Sequence, residues 1–266
     1  MRPGLLVLDF DGVVCDGVVE MAETSWRALV EVTRSHVPSA RGAELRARFA
    51  ALRPAIESGW EMVALFGLLV EREAASDAAL HDGARWAEAR DAFMRAHALT
   101  SRAVAATFDD VRGEWMDEDR DGWLARHRFY PGIAAWLTRL VAGGQLVYVL
   151  STKSKRFLDA LLAWQKVSLP SDRVIGRAEP KREKWDVIRG LAASHGVAAA
   201  DVWFVEDRLP TLVDLRRHAP DLAAMRLFLA DWGYIFPDID LPAARAAGVP
   251  VLSLARATGP FENWPR

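Results

Sequence analysis

"LLVLDFDGVVCDG", residues 5–17, ends an apolar run in two aspartates placed two positions apart, Asp9 and Asp11, with Asp16 following. The run at 5–10 reads as a strand buried on both faces, the texture of a parallel sheet covered by helices. In an open parallel sheet the carboxyl ends of the strands form the ligand crevice, so the loop holding both acids opens into it. Four more short apolar runs follow, each bounded by Gly, Pro or charge: "QLVYVLS" at 145–151, "VWFVED" at 202–207, "RLFLAD" at 226–231 and "VPVLSL" at 249–254. Helical patterns lie between them. "SKRFLDALLAWQKV" sets Phe157, Leu158, Leu161 and Leu162 on one face, and "EKWDVIRGLAASHG" stops at Gly196. The alternation predicts an α/β fold, a Rossmann-like parallel sheet with helices on both sides.

Residues 18 to about 128 break the alternation. "MAETSWRALVEVTRSH", "RGAELRARFAAL", "GWEMVALFGLLVERE" and "ARWAEARDAFMRAHAL" all have helical period, and Pro38, Pro54 and "HDG" at 81–83 punctuate them. The expected organisation is a core from 1–17 and 129–266, with an all-helical domain, 18–128, inserted after the first strand. "FYPG" at 129–132 is expected to return the chain to the sheet, and the acidic "DEDRD" at 117–121 reads as a solvated loop.

Composition narrows the function classes. The chain has 266 residues, 51% of them hydrophobic, enough for a sizeable core. A net charge of -2 with scattered Lys and Arg supplies no basic stripe, so a nucleic-acid partner is not expected and a small ligand is. Cys15 is the only cysteine, which excludes an internal disulfide, reads as a small apolar filler and fits a reducing cytoplasm. Asp9 and Asp11 interrupt the N-terminal run and no small-residue cleavage site follows, so a signal segment is not expected, and "MVALFGLLV" at 62–70 is half a bilayer long. No membrane association is expected, and a monomer is assumed.

The same strand logic brings Ser151, Glu206 and Asp207 to the edge that holds Asp9 and Asp11, with Lys184 opening the helix before the Glu206 strand. Carboxylates forced together are costly unless a cation joins them, and hard oxygen donors suit Mg²⁺, which completes its shell with water and substrate phosphate. A lysine in a first helical turn, close behind Pro180, opposes the helix dipole unless an anion sits there, and that anion would be phosphate.

Together these residues carry a resemblance. "DFDGVVCD" resembles the first signature of the haloacid dehalogenase superfamily, D-x-D-G-[TV]-x-x-D, here Asp9, Asp11, Gly12 and Asp16. "VYVLST" resembles the second, an apolar strand ending in Ser or Thr, which assigns Ser151. The third is a lysine before a helix. Lys184 fits it best, because Val187, Ile188 and Leu191 follow at apolar spacing, and Lys181 is the rival. "VWFVED" is similar to the fourth, with Glu206 and Asp207 as the acidic pair, although the further Asp common in the family is missing where Thr211 and Asp214 flank its place. "RPAIESGWE", "FYPG", "STKSKRF", "VEDRLPTL" and "DWGY" resemble a poorly characterised branch of cyanobacterial and plant haloacid dehalogenase-like hydrolases. Alone, each signal has a plain alternative in turn, cap or surface chemistry; four in order, each beside its strand or helix, weigh against it. A calcium loop is excluded because its fifth position would be Val13.

The resemblance implies a phosphatase for a small phosphorylated metabolite. Asp9 would be the nucleophile and Asp11 the general acid and base. Ser151 and Lys184 would hold phosphate oxygens. Mg²⁺ would be held by Asp9, Asp207, Glu206 and the Asp11 carbonyl. Asp11 weighs against a dehalogenase, whose signature resembles D-x-Y, and against a phosphonatase, which resembles D-x-A. The inserted helices would form a cap that reads the leaving group, with Arg53 and Glu57 as polar contacts and Trp60 as a packing surface. An internal ion pair and a core tryptophan are the equal alternative. A phosphotransferase or sugar-phosphate mutase on the same core, and a phosphate-binding protein without turnover, remain open.

Overall fold

The computed structural model describes residues 2–34, 41–177 and 182–265; Pro38, Pro180 and Lys181 lie outside the described residues. The chain divides into two compact units, Met1–Asp16 with Arg128–Arg266, and Gly17–His127.

The first unit contains eight short strands among the described residues: β1 Leu5–Leu8, β2 Cys15–Asp16, β3 Arg128–Phe129, β4 Val147–Leu150, β5 Val174–Ile175, β6 Val202–Glu206, β7 Arg226–Ala230 and β8 Val251–Leu252. Six of them form a parallel sheet in the order β5-β4-β1-β6-β7-β8. From β1 the chain goes to β4 and β5 on one side, then crosses to β6, β7 and β8 on the other. The strand order therefore reverses at β1, and the crevice of such a sheet opens at its carboxyl end. The register fixes the neighbours there, with Leu8 opposite Val149 of β4 and Val205 of β6. "FYPG" does not return the chain to this sheet. Phe129 ends β3, which pairs antiparallel with β2 as a separate ribbon, Cys15 opposite Phe129 and Asp16 opposite Arg128.

All four residues of β1 are buried, which is what a central parallel strand covered on both faces requires. On one face Leu5, Val7, Phe204, Ile188 and Leu212 share a core. Residues alternate across a strand, so Trp203 points to the other face. There it meets Trp264 at 5.3 Å and Phe228 at 5.4 Å, and Phe228 is edge-on to Trp264 at 5.0 Å. Offset and edge-on pairs suit the ring quadrupoles and bury large apolar areas.

The second unit is helical. Its helices are Val18–Thr33, Gly42–Leu52, Gly59–Glu71, Gly83–Ala96, Ser101–Glu118 and Arg120–Leu124, with short 3-10 turns between. In Gly59–Glu71 every residue from Met62 to Leu69 is buried, so this apolar segment is the centre of the unit, packed against Val18–Thr33 and Ser101–Glu118. A capping box of Ser58 and Glu61 starts it. "DEDRD" is solvent-exposed but not a loop. One helix ends at Glu118 and the next begins at Arg120, with the Asp119 side chain accepting from the Gly122 N–H. No helix among the described residues is long and apolar enough to cross a membrane.

Candidate active site

Three adjacent strands, β4, β1 and β6, deliver the expected residues to one edge. Asp9 follows β1 directly, and its N–H donates to Val205 O at 3.0 Å, which seats it beside Glu206. Glu206 is the last residue of β6 and is fully buried; Asp207 follows it, 3% exposed. Carboxylate oxygens of Asp9, Glu206 and Asp207 lie within 4.8 Å of one another, the one group among the described residues with metal-ligand spacing. Lys184, the first residue of the helix Lys184–His195, reaches across to them. Its Nζ donates to Asp9 Oδ1 at 2.8 Å and to Glu206 Oε2 at 2.6 Å.

The electrostatics follow from burial. Burial and the neighbouring Glu206 charge push the Asp9 carboxyl up to about 7 despite Lys184. Burial also works against ionisation at Glu206, but the charge and hydrogen bond of Lys184, with the Arg208 N–H, hold it below the usual carboxylate range. Burial opposes the Lys184 charge, and Asp9 and Glu206 more than reverse this, so the lysine stays protonated.

Asp11 lies two residues beyond Asp9, and a turn at Gly12 follows it directly. Gly12 has φ +86°, and a Cβ there would overlap Asp207 Oδ2, so both conformation and space demand glycine. Asp11 Oδ1 pairs with Lys153 Nζ at 3.2 Å. Ser151 follows β4 and is buried, and its Oγ accepts the Lys153 N–H at 3.2 Å. Ser151 and Lys184 line one cleft together with Thr152, Gly176, Arg177 and Arg182, a mouth rich in positive charge.

Sequence reasoning gave no role to two contributors, Lys153 in "STKSKRF" and the "DWGY" segment. Lys153 stands two positions after the strand-ending Ser151, near enough in chain to reach the same edge, yet its partner Asp11 is remote in sequence. "DWGY" entered only as a resemblance. It buttresses the site: the Tyr234 N–H donates to Asp207 Oδ2 at 2.8 Å, Tyr234 Oη donates to Asp16 Oδ1 at 2.9 Å, and Trp232 Nε1 donates to Val13 O at 3.1 Å. Gly233 permits this approach, since a Cβ there would overlap Gly12 O and Asp207 Cβ.

The three residues singled out in the helical unit have settled positions within it. Arg53 is buried, donating to Ile56 O at 3.0 Å and contacting Met21 Sδ at 3.2 Å. Glu57 is exposed, with its N–H donating to Glu61 Oε2 at 2.8 Å. Trp60 is half-buried beneath the Arg90 guanidinium, 5.1 Å from its ring centre.

No protein-family model matches the chain, and no curated protein matches its sequence. Solved structures do match its fold. A predicted phosphatase from Clostridium acetobutylicum superposes with a TM-score of 0.61 at 15% identity over 97% of each chain. A predicted phosphoglycolate phosphatase from Haemophilus somnus gives 0.54 at 16% identity over 88% of each chain. A haloacid dehalogenase-like hydrolase from Streptococcus pneumoniae gives 0.55 at 11% identity over 94% of each chain. At these identities the likeness is one of fold: the chain has the α/β fold of haloacid dehalogenase-like proteins.

Proposed function

We propose that this chain is a haloacid dehalogenase-superfamily phosphatase that hydrolyses a small phosphate monoester through a phosphorylated Asp9. The observation that carries the reading is the Asp9 carboxylate, held by Lys184 at the strand-order reversal with Asp11 two residues away. Lys184 engages Oδ1 and fixes the carboxylate for attack in line on phosphorus. The Asp9–phosphorus bond forms as the ester bond breaks, and Asp11 gives its proton to the leaving oxygen. In the second step a water loses a proton to Asp11 and attacks phosphorus, releasing phosphate and regenerating Asp9. Ser151 and Lys184 bind the non-reacting phosphate oxygens, so much of the catalysis is positioning and charge placement.

The acids fit a divalent metal. Carboxylate oxygens of Asp9, Glu206 and Asp207 lie within 4.8 Å of one another, a spacing that one cation can bridge. All the side-chain donors are carboxylate oxygens, the hard ligands Mg²⁺ prefers. Asp9, Asp207, Glu206 and the Asp11 carbonyl would hold it, and when bound it would neutralise charge on the transferring phosphoryl group. A release assay over small phosphate esters, with and without Mg²⁺, tests the reading. Mg²⁺-dependent phosphate release is the expected result. Transfer between sugar-phosphate positions with little release would favour a mutase, and no turnover of any ester would favour a phosphate-binding protein.

A further inference from the structure

We propose that Lys153 is the positioning residue for Asp11, holding the proton-handling carboxylate in one orientation over the leaving oxygen; this rests on the phosphatase reading above. Lys153 is 5% exposed, so its ammonium must find its counter-charge inside the protein, and Asp11 Oδ1 lies 3.2 Å away. The two side chains are 2% and 14% exposed, a setting in which the pair is little screened by water.

The backbone of Lys153 is fixed on both sides. Its N–H donates to Ser151 Oγ at 3.2 Å, and its carbonyl accepts the Arg177 N–H at 3.0 Å from the loop after β5. Gly176 lets that loop come close, because a Cβ there would press on Lys153 O and overlap the backbone of Lys155. A lysine side chain is flexible, and the two backbone anchors fix the Cα from which it reaches Asp11. One residue thus supports two functions, the phosphate-binding hydroxyl through its backbone and the acid–base carboxylate through its side chain. Catalysis by a positioned acid falls off quickly with misplacement, so the ammonium contributes through the direction in which Asp11 points.

The test is a leaving-group comparison on Lys153→Met, which keeps the apolar stem and removes the charge, and Lys153→Arg, which keeps the charge. Lys153→Met is expected to lower kcat on alkyl phosphates by on the order of 10²-fold, because a poor leaving group needs the proton. On an activated aryl phosphate the loss should be no more than about threefold. KM should change little for either, and Lys153→Arg should recover part of the alkyl phosphate rate. In an Asp11→Asn background, Lys153→Met should add little further loss. Equal loss on both substrate classes, or a loss expressed in KM, overturns the proposal in favour of general packing or phosphate binding. Should Lys153→Met not fold, a Lys153→Arg variant that folds yet loses both substrate classes equally has the same meaning. A wild type inactive on every ester would instead overturn the phosphatase reading itself, and this role with it.

Discussion

Glu20 and Asp9 are both buried carboxylates beside a cation, one in each unit, and their surroundings differ in charge balance. Glu20 is fully buried and accepts two hydrogen bonds from Arg112, at 2.7 and 3.0 Å, and one from Thr24 Oγ1 at 2.7 Å. The Arg112 guanidinium also lies over the Phe108 ring at 4.4 Å. The carboxylate is bridged by the guanidinium, with the buried His127 ring 3.6 Å from its second oxygen, so its oxygens are well supplied, the arrangement that makes a buried ion tolerable. Asp9 instead shares a single lysine with Glu206, and Asp207 stands beside both. The matched cluster serves the fold of the helical unit. Carboxylates crowded in excess of their cations cost stability, and such excess is kept where a ligand supplies the missing charge.

The largest expected effect tests that excess directly. Asp9→Asn should lower turnover by on the order of 10⁴-fold or more, since the nucleophile is removed. In EDTA its melting temperature should equal or exceed the wild-type value, because one repelling charge is gone. A lower melting temperature would show that the crevice is stabilised by Asp9 in the way the helical unit is by Glu20.

Next comes the matched cluster. Arg112→Met should destabilise the protein by about 3–5 kcal/mol in urea unfolding, because it strands a buried carboxylate. A loss below about 1 kcal/mol would erase the contrast between the two sites. Lys184→Ala should lower kcat by on the order of 10²- to 10³-fold, the usual effect of removing one preorganised charge contact. Lys181→Ala should stay near wild type, and the reverse order would move the anion site to Lys181. The smallest effect concerns the metal. Asp207→Asn should weaken Mg²⁺ binding at least about tenfold by calorimetry, and unchanged affinity would remove Asp207 from the metal site.

The residues at the sheet edge were readable because each ends or directly follows an apolar run, and strand ends in a parallel sheet converge. Asp9, Glu206 and Asp207 are the clearest cases. Features whose signal is short or remote were not readable. β5, Val174 and Ile175, and β2 and β3 are two residues each and lack the longer flanking apolar run that made the equally brief β8 readable in "VPVLSL". "DEDRD" has the composition of a loop, yet Asp119 uses its side chain to cap a new helix, a local choice that composition does not reveal. Lys153 and Tyr234 act on acids far away in the chain, and only the fold brings them together.

The ribbon of β2 and β3 has a consequence for how the chain closes on itself. Asp16 sits opposite Arg128, so the segment from Gly17 to His127 departs and returns at neighbouring strand ends. To the sheet, that segment is the turn of a hairpin, however many residues it holds. Loop closure costs only the logarithm of loop length, and a folded insert with adjacent ends presents a short span instead of a long flexible one. Helices could be gained, lost or exchanged within it without altering the register of β1 on β4. A change in the size of the insert leaves the span that the ribbon must close unchanged.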